Sequence, residues 1–242
     1  GLIKMDFLGL ELINTVQQAL ENIELTNESA KDQSEIREVP NMRELILGPM
    51  DDAETYKTLQ EGNTVGIFQL GSTGVRELLK ISKPQSFMEI ANITALYRPG
   101  PMKSGAPTQY ANRKSGKEKV TYIDKEFHGT EVEDILKETF GLLIFQEQIM
   151  LIAGQYAGLQ PYETDKLRKA IGKKDMNIMS KLQPKFVEGC KARGASDNAI
   201  KTLWDTIEVF GQYGFNTSHS VSYAINIDET VYLKTHFPSE FM

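Results

Sequence analysis

Apolar residues recur at helical spacing along most of the chain. Leu10, Ile13, Val16 and Leu20 fall roughly on one face and predict a helix over about 10–21. Asp51 and Asp52 are placed to cap a short helix ending about Gln60, and residues 87–96 read as another. Ile149, Ile152, Ala153 and Tyr156 stand at i, i+3, i+4 and i+7, a strong helical signal from about Gln148. Pro161 is suited to open the next helix and Gly172 to close it. Ser196 caps a further one, with Ile200, Leu203, Trp204 and Ile207 inward, and a last helix is expected over about 218–234. The remaining segments lack this period. Gly1–Gly9 reads as a short buried strand and turn, 64–70 as a strand or a buried turn, and 25–50 as a loop or insertion. Arg98-Pro99-Gly100-Pro101 reads as a rigid turn that cannot continue a helix, and 103–122 as a basic, glycine-containing loop. The expected fold class is mainly α (α+β), helical with few strands.

Composition narrows this little. A chain of 242 residues holds one large domain or two small ones. Nothing approaches the apolar run of a transmembrane helix, and no signal peptide is visible. Gly1 at one end and Pro238-Ser239-Glu240-Phe241-Met242 at the other read as cuts through a longer polypeptide. The single cysteine, Cys190, excludes an internal disulfide and a zinc cluster, fits a reducing cytoplasmic setting, and is expected to pack as a small hydrophobe. The net charge of −6 argues against a general nucleic-acid binder, so the local distribution of charge matters more.

Four stretches carry candidate chemistry. In Lys4-Met5-Asp6-Phe7-Leu8-Gly9, an aspartate within an apolar strand needs a compensating charge or hydrogen bonds; a divalent metal and a structural hydrogen bond both answer. Lys4, two residues away, shares its strand face, which suits a polyphosphate beside a metal. In Asp165–Lys174, Leu167, Ala170 and Ile171 anchor one side, Lys166, Lys169 and Lys173 share another, and Arg168 lies between them. Cations held this way fit a triphosphate or a nucleic-acid backbone, or form a solvated basic face. From Lys166 to Lys185 the only acid is Asp175, so few intrahelical pairs are expected to offset them. In Phe210–Ser220, two glycines flank Tyr213, which is able to stack on a base, and Asn216, Ser218 and His219 offer hydrogen bonds to sugar or phosphate; taken alone, the stretch reads slightly better as a capping turn with core aromatics. The loop with Lys103, Arg113, Lys114, Lys117 and Lys119 suits a duplex backbone or simply solvent.

Taken in order, these stretches resemble one family along nearly the whole chain. Lys4-Met5-Asp6-Phe7-Leu8-Gly9-Leu10, Gly66-Ile67-Phe68-Gln69-Leu70, Leu96-Tyr97-Arg98-Pro99-Gly100-Pro101-Met102, Phe145-Gln146-Glu147-Gln148-Ile149-Met150, Leu167–Lys174, Tyr213-Gly214-Phe215-Asn216 with Ser218-His219, and Tyr232-Leu233-Lys234 with Pro238–Met242 are similar to the C-family replicative polymerases, the alpha subunit of bacterial DNA polymerase III. No one piece is decisive; seven in order are highly specific.

The resemblance implies that residues 1–9 form the last catalytic strand of a palm and 10–242 a fingers domain truncated on its C-terminal side. It makes Asp6 the third metal-binding, catalytic aspartate of a pair of Mg²⁺ ions whose other ligands lie outside this chain. It places Lys4, Arg168, Lys169, Lys173, Tyr213, Asn216 and His219 around the incoming nucleotide. It puts Arg98, Lys103, Arg113, Lys114 and Lys174 on DNA. The implied partners are primer-template DNA, a deoxynucleoside triphosphate and the rest of the polymerase chain. A sliding clamp and other replisome subunits would be reached through regions outside this sequence, and no membrane is involved. The implied reaction is attack of a primer 3′-hydroxyl on the α-phosphate, with this chain inactive alone. The alternative is a non-catalytic nucleotide- or DNA-binding module derived from such a polymerase. Lys169 stands where the family usually has a second arginine, Thr217 where it has a lysine, and Gly71 where it has a glutamate, which implies a divergent member.

Overall fold

A computed structural model describes residues 11–48, 50–211 and 213–242, so the strand expected over 1–9, with Lys4 and Asp6, lies outside the described residues. The fold is mainly helical, as expected. The strand-like pairing described is one parallel bridge, Phe145 to Phe215. Among the described residues no helix is long and apolar enough to cross a membrane. The described residues divide into two compact units, one of residues 11–90 with 223–242 and the other of residues 91–222.

In the first unit, α1 spans Glu11–Glu28, well past the expected end. Its buried stripe is Val16, Ala19, Leu20 and Ile23, whereas Ile13 is 55% exposed and does not belong to it. This stripe packs with Leu45, Leu233 and Phe237 in one apolar cluster. Residues 25–50 are not the plain loop the polar pattern implied, because they contain α2, Met42–Leu47. Asn41 Oδ1 accepts from Glu44 N and Glu44 Oε2 accepts from Asn41 N, a reciprocal cap that starts a short helix whose Leu45 joins that cluster and whose Met42 packs against it. Asp52 caps α3 (Ala53–Gln60) as expected, accepting from Thr55 N at 2.7 Å. Residues 64–70 resolve to a buried turn. Gly66 is left-handed at φ +84°, and Thr64 Oγ1 donates to Leu70 O at 2.6 Å. α4 spans Thr73–Ser82 and α5 spans Phe87–Leu96.

In the second unit, Pro99 opens a helix shortly after α5 ends at Leu96. α6 spans Pro99–Lys103 with Arg98 as its N-cap, because a proline at the first helical position loses no hydrogen bond. The expected loop over 103–122 contains α7, Ala106–Lys114, whose buried side includes Tyr110, Ala111 and Arg113. α8 spans Glu131–Leu136 and α9 spans Gln146–Leu151, and α9 widens into a π turn over Ile152–Tyr156, with Ala157 N donating to Ile152 O. α10 spans Pro161–Lys173, α11 Met176–Ala192 and α12 Asp197–Phe210. Leu167 and Ile171 of α10, Phe186 and Cys190 of α11, and Leu203, Trp204 and Ile207 of α12 meet α9 and the π turn in one core. Gly189 lets α11 touch the π turn, since a Cβ there would lie 1.8 Å from Ala157 O. α13, Thr217–His236, begins in this unit and continues into the first, which also holds α14, Pro238–Phe241.

Candidate functional site

The start of α9 organises the second unit's polar site. Gln148 Oε1 accepts from Ile144 N at 2.8 Å and Phe145 N at 3.0 Å, and its Nε2 donates to Thr139 Oγ1 at 2.9 Å. That amide is buried, so it fixes the backbone entering the helix. Gln146 and Glu147 then project in two directions. Gln146 Oε1 accepts from Arg168 Nη1 of α10 at 2.9 Å, while its backbone N donates to Phe215 O at 2.8 Å. Glu147 takes three donors from the turn before α13: Asn216 Nδ2 at 2.7 Å, Thr217 N at 3.0 Å and Thr217 Oγ1 at 2.7 Å. Asn216 Oδ1 in turn accepts from His219 N at 2.9 Å. These bonds bring the Arg168 segment and the Tyr213–His219 turn onto one framework, although they lie far apart in sequence.

Glycine sets the spacing. A Cβ on Gly211 would stand 2.1 Å from Ile171 Cγ2, so only glycine lets the end of α12 press against α10. A Cβ on Gly100 would stand 2.9 Å from Tyr213 Cβ, which seats Tyr213 against the turn that begins at Arg98. Tyr213 meets Phe210 edge-on at 5.5 Å and borders an apolar cavity of about 400 Å³.

The expected cations separate by environment. Arg98 is an internal brace: its Nη2 donates to Tyr213 O at 2.9 Å, its Nε to Ala95 O at 3.0 Å, and its guanidinium lies 4.0 Å from the Phe215 ring centre. Burial lowers its pKa from the usual arginine range. Arg113 is more enclosed. It pairs with Glu118 at 3.0 Å and donates to Thr121 O, Thr121 Oγ1 and Phe140 O, holding a loop to the core. Lys103, Lys169, Lys173 and Lys174 are exposed and Lys114 half-buried. Arg168 and Lys169 are not the unpaired cations the sparse acids of 166–185 implied, because Asp165, just upstream, takes Arg168 Nη2 at 2.8 Å and Lys169 Nζ at 2.6 Å. The bonds from Lys169 and then Arg168 hold the Asp165 carboxyl below its usual range. His219 meets the Phe215 ring edge-on at 5.2 Å.

The sequence reading assigned no role to Gln146, Glu147 or Asp165. Gln146 and Glu147 fell within a matched stretch, yet the residues that need them arrive much later in the chain, and spacing carries no sign of that pairing. Among the described residues, no three His, Cys, Asp or Glu side chains converge as a metal site.

Comparison with known proteins agrees with this architecture. Residues 13–194 match the family described as the bacterial DNA polymerase III alpha subunit finger domain. DNA polymerase III subunit alpha of Aquifex aeolicus is 45% identical over 241 residues, covering 100% of this chain and 19% of that protein. The subunits of Helicobacter pylori strain 26695 and Pseudomonas aeruginosa are 42% and 40% identical, again across 100% of this chain and 18% and 20% of theirs. The chain thus spans about a fifth of the length of these curated relatives. With the family matched over most of its length, this chain belongs to the bacterial DNA polymerase III alpha subunit finger-domain family.

Proposed function

We propose that this chain is the nucleotide-gripping fingers portion of a template-directed DNA polymerase acting in DNA replication. The observation that carries the reading is the framework on Gln146 and Glu147, which sets Arg168 and the Tyr213–His219 turn side by side. Arg168 gives one N–H each to Asp165 and Gln146, leaving three of a guanidinium's five donors for an anion. Lys169 and Lys173 follow on the same helix, one turn apart, and both are exposed. In this reading they neutralise the triphosphate of an incoming deoxynucleotide while Tyr213 stacks near the nascent base pair, and Asn216 and His219 line the sugar side. Lys103, Lys114 and Lys174 contact the DNA backbone. Arg98 and Arg113 act by positioning, since their guanidinium groups are turned into the protein.

Asp6, with Lys4 beside it, is assigned to the metal-binding palm strand. The described residues offer no metal site of their own, so the Mg²⁺ requirement attaches to Asp6 together with carboxylates from outside this sequence. When bound, the ions would activate the primer hydroxyl and stabilise the leaving pyrophosphate. The chain alone supplies one such carboxylate and is assigned no polymerase activity by itself.

Single-nucleotide incorporation by the full polymerase polypeptide tests this. Arg168→Ala should weaken apparent deoxynucleotide affinity about tenfold or more, and Asp6→Asn should abolish incorporation while DNA binding persists. Unchanged nucleotide affinity in Arg168→Ala removes the grip from α10. Undiminished incorporation in Asp6→Asn leaves a non-catalytic module that binds nucleotide or DNA.

A further inference from the structure

A separate cavity of about 390 Å³ lies in the first unit and is strongly acidic. Its ionisable lining is Glu38, Glu44, Asp51, Asp52 and Asp228, together with the phenol of Tyr232, and among the described residues no lysine or arginine lines it. Asp52 is engaged, capping Thr55 N at 2.7 Å and meeting His236 Nε2 at 2.9 Å. Asp228, on α13, is different. It is only 8% exposed, lines the cavity, and has no hydrogen bond or ion pair with a described residue. The phenol of Tyr56, which feels the Asp228 charge, donates to Met50 O at 2.6 Å.

A buried carboxylate without a donor is costly, and negative neighbours at Asp51 and Asp52 make it more so. A cation entering the cavity removes both costs. The carboxylates do not converge as ligands for one metal ion, so a longer cation suits the space better than a point charge. Leu45, Met50 and the Tyr232 ring supply apolar wall between the acids. An alkyl stem packs on such a wall while its charged head meets a carboxylate.

We propose that this cavity binds an aliphatic ammonium ion, with the ammonium head on Asp228 and the methylene stem along Leu45, Met50 and Tyr232. A free diamine or polyamine and a lysine side chain share this chemistry. The site is independent of the nucleotide-binding reading.

Calorimetric titration of the chain at fixed ionic strength tests it. The probes are 1,4-diaminobutane, Nα-acetyl-lysine methylamide and MgCl₂, used with the wild type, Asp228→Asn and Glu38→Gln. Saturable binding of one alkylammonium per chain is expected, weakened about tenfold or more in Asp228→Asn and less in Glu38→Gln, which removes an exposed acid. Tighter binding of the diamine identifies a free amine as occupant; tighter binding of the lysine derivative identifies a side chain. Lack of saturable binding by both probes, equal affinity in folded Asp228→Asn, or equal binding of Mg²⁺ overturns the proposal. Asp228→Asn removes a buried charge and keeps side-chain size, and circular dichroism verifies its fold. If it does not fold, loss of the binding heat in Asp51→Asn, at an exposed position, is the required result, and its retention is refuting.

Discussion

Replacing Glu147 by glutamine should destabilise the second unit by about 2 kcal/mol, and changing Asn216 to aspartate in the same molecule should restore about half of the loss rather than add to it. The argument rests on which atoms donate. Glu147 Oε2 accepts from Thr217 N and Oγ1, and the amide oxygen of a glutamine is able to keep both bonds. The other oxygen, Oε1, accepts from Asn216 Nδ2 at 2.7 Å, and there an NH₂ group would face an NH₂ group. Asn216 cannot relieve the clash by turning its amide over, because its Oδ1 already accepts from His219 N at 2.9 Å. Leaving a partly buried donor unmatched costs roughly 1–3 kcal/mol. Asn216→Asp alone opposes two carboxylates and should cost a similar amount. In the double variant the new amide donates to the new carboxylate, so the total should fall to about 1 kcal/mol, a coupling of about 2–3 kcal/mol. The assay is urea unfolding followed by fluorescence of Trp204, the protein's one tryptophan, which is 4% exposed in the core of this unit. Additive single-variant losses, within about 0.5 kcal/mol, would refute the framework role assigned to Glu147.

Gly189→Ala should cost the second unit about 3 kcal/mol or more, because the added methyl meets Ala157 O at 1.8 Å and backbone on both sides cannot step aside; unchanged urea midpoints would contradict the close packing. Cys190 is fully buried and its thiol is pushed up to about 12 by burial, so iodoacetamide at about pH 8 should label the native chain at least about a hundredfold more slowly than the unfolded chain. Burial, with Asp51 and Asp52 nearby, raises the Asp228 carboxyl to about 6, and burial beside Asp228 raises Glu229 to about 7. Folded acids that hold protons more tightly than unfolded ones stabilise the fold at low pH and lose that contribution as pH rises from about 4 through about 7. The first unit should therefore be roughly 3 kcal/mol more stable at about pH 5 than at about pH 8, measured by hydrogen exchange along α13, and Asp228→Asn with Glu229→Gln should flatten the slope.

The sequence reveals elements whose cause is local. Phe87–Leu96 matches its expected span, and Asp52, Pro161 and Ser196 begin helices where their chemistry requires. It obscures elements whose cause is a reciprocal cap or a distant partner. α2 is only six residues long, too short for Met42 and Leu45 to show a helical period, and its start is fixed by the reciprocal cap of Asn41 and Glu44. α7 reads as a basic loop because Arg113 counts as a surface charge until Glu118, Thr121 and Phe140 enclose it. Glu147 shows the limit most plainly: its partners come from about seventy residues later, at a spacing no helix or strand period encodes.

The same distinction decides what the cations are for. A guanidinium turned into carbonyl groups, as in Arg98 and Arg113, cannot offer those donors to an anion without releasing the segment it holds. An exposed lysine one helical turn from another, as at Lys169 and Lys173, gives up little when an anion arrives. Arg168 stands between these cases. Asp165 and Gln146 fix its plane with two bonds and leave three donors, which lowers the entropic cost of ordering the side chain when an anion binds. Lysine at that position would keep the charge and lose the planar fork. If Arg168 grips the nucleotide as proposed, Arg168→Lys should raise the apparent Kd for deoxynucleotide in single-nucleotide incorporation although the charge is conserved, whereas Lys169→Arg should be tolerated, because the Lys169 side chain is open to solvent and its ammonium pairs with Asp165.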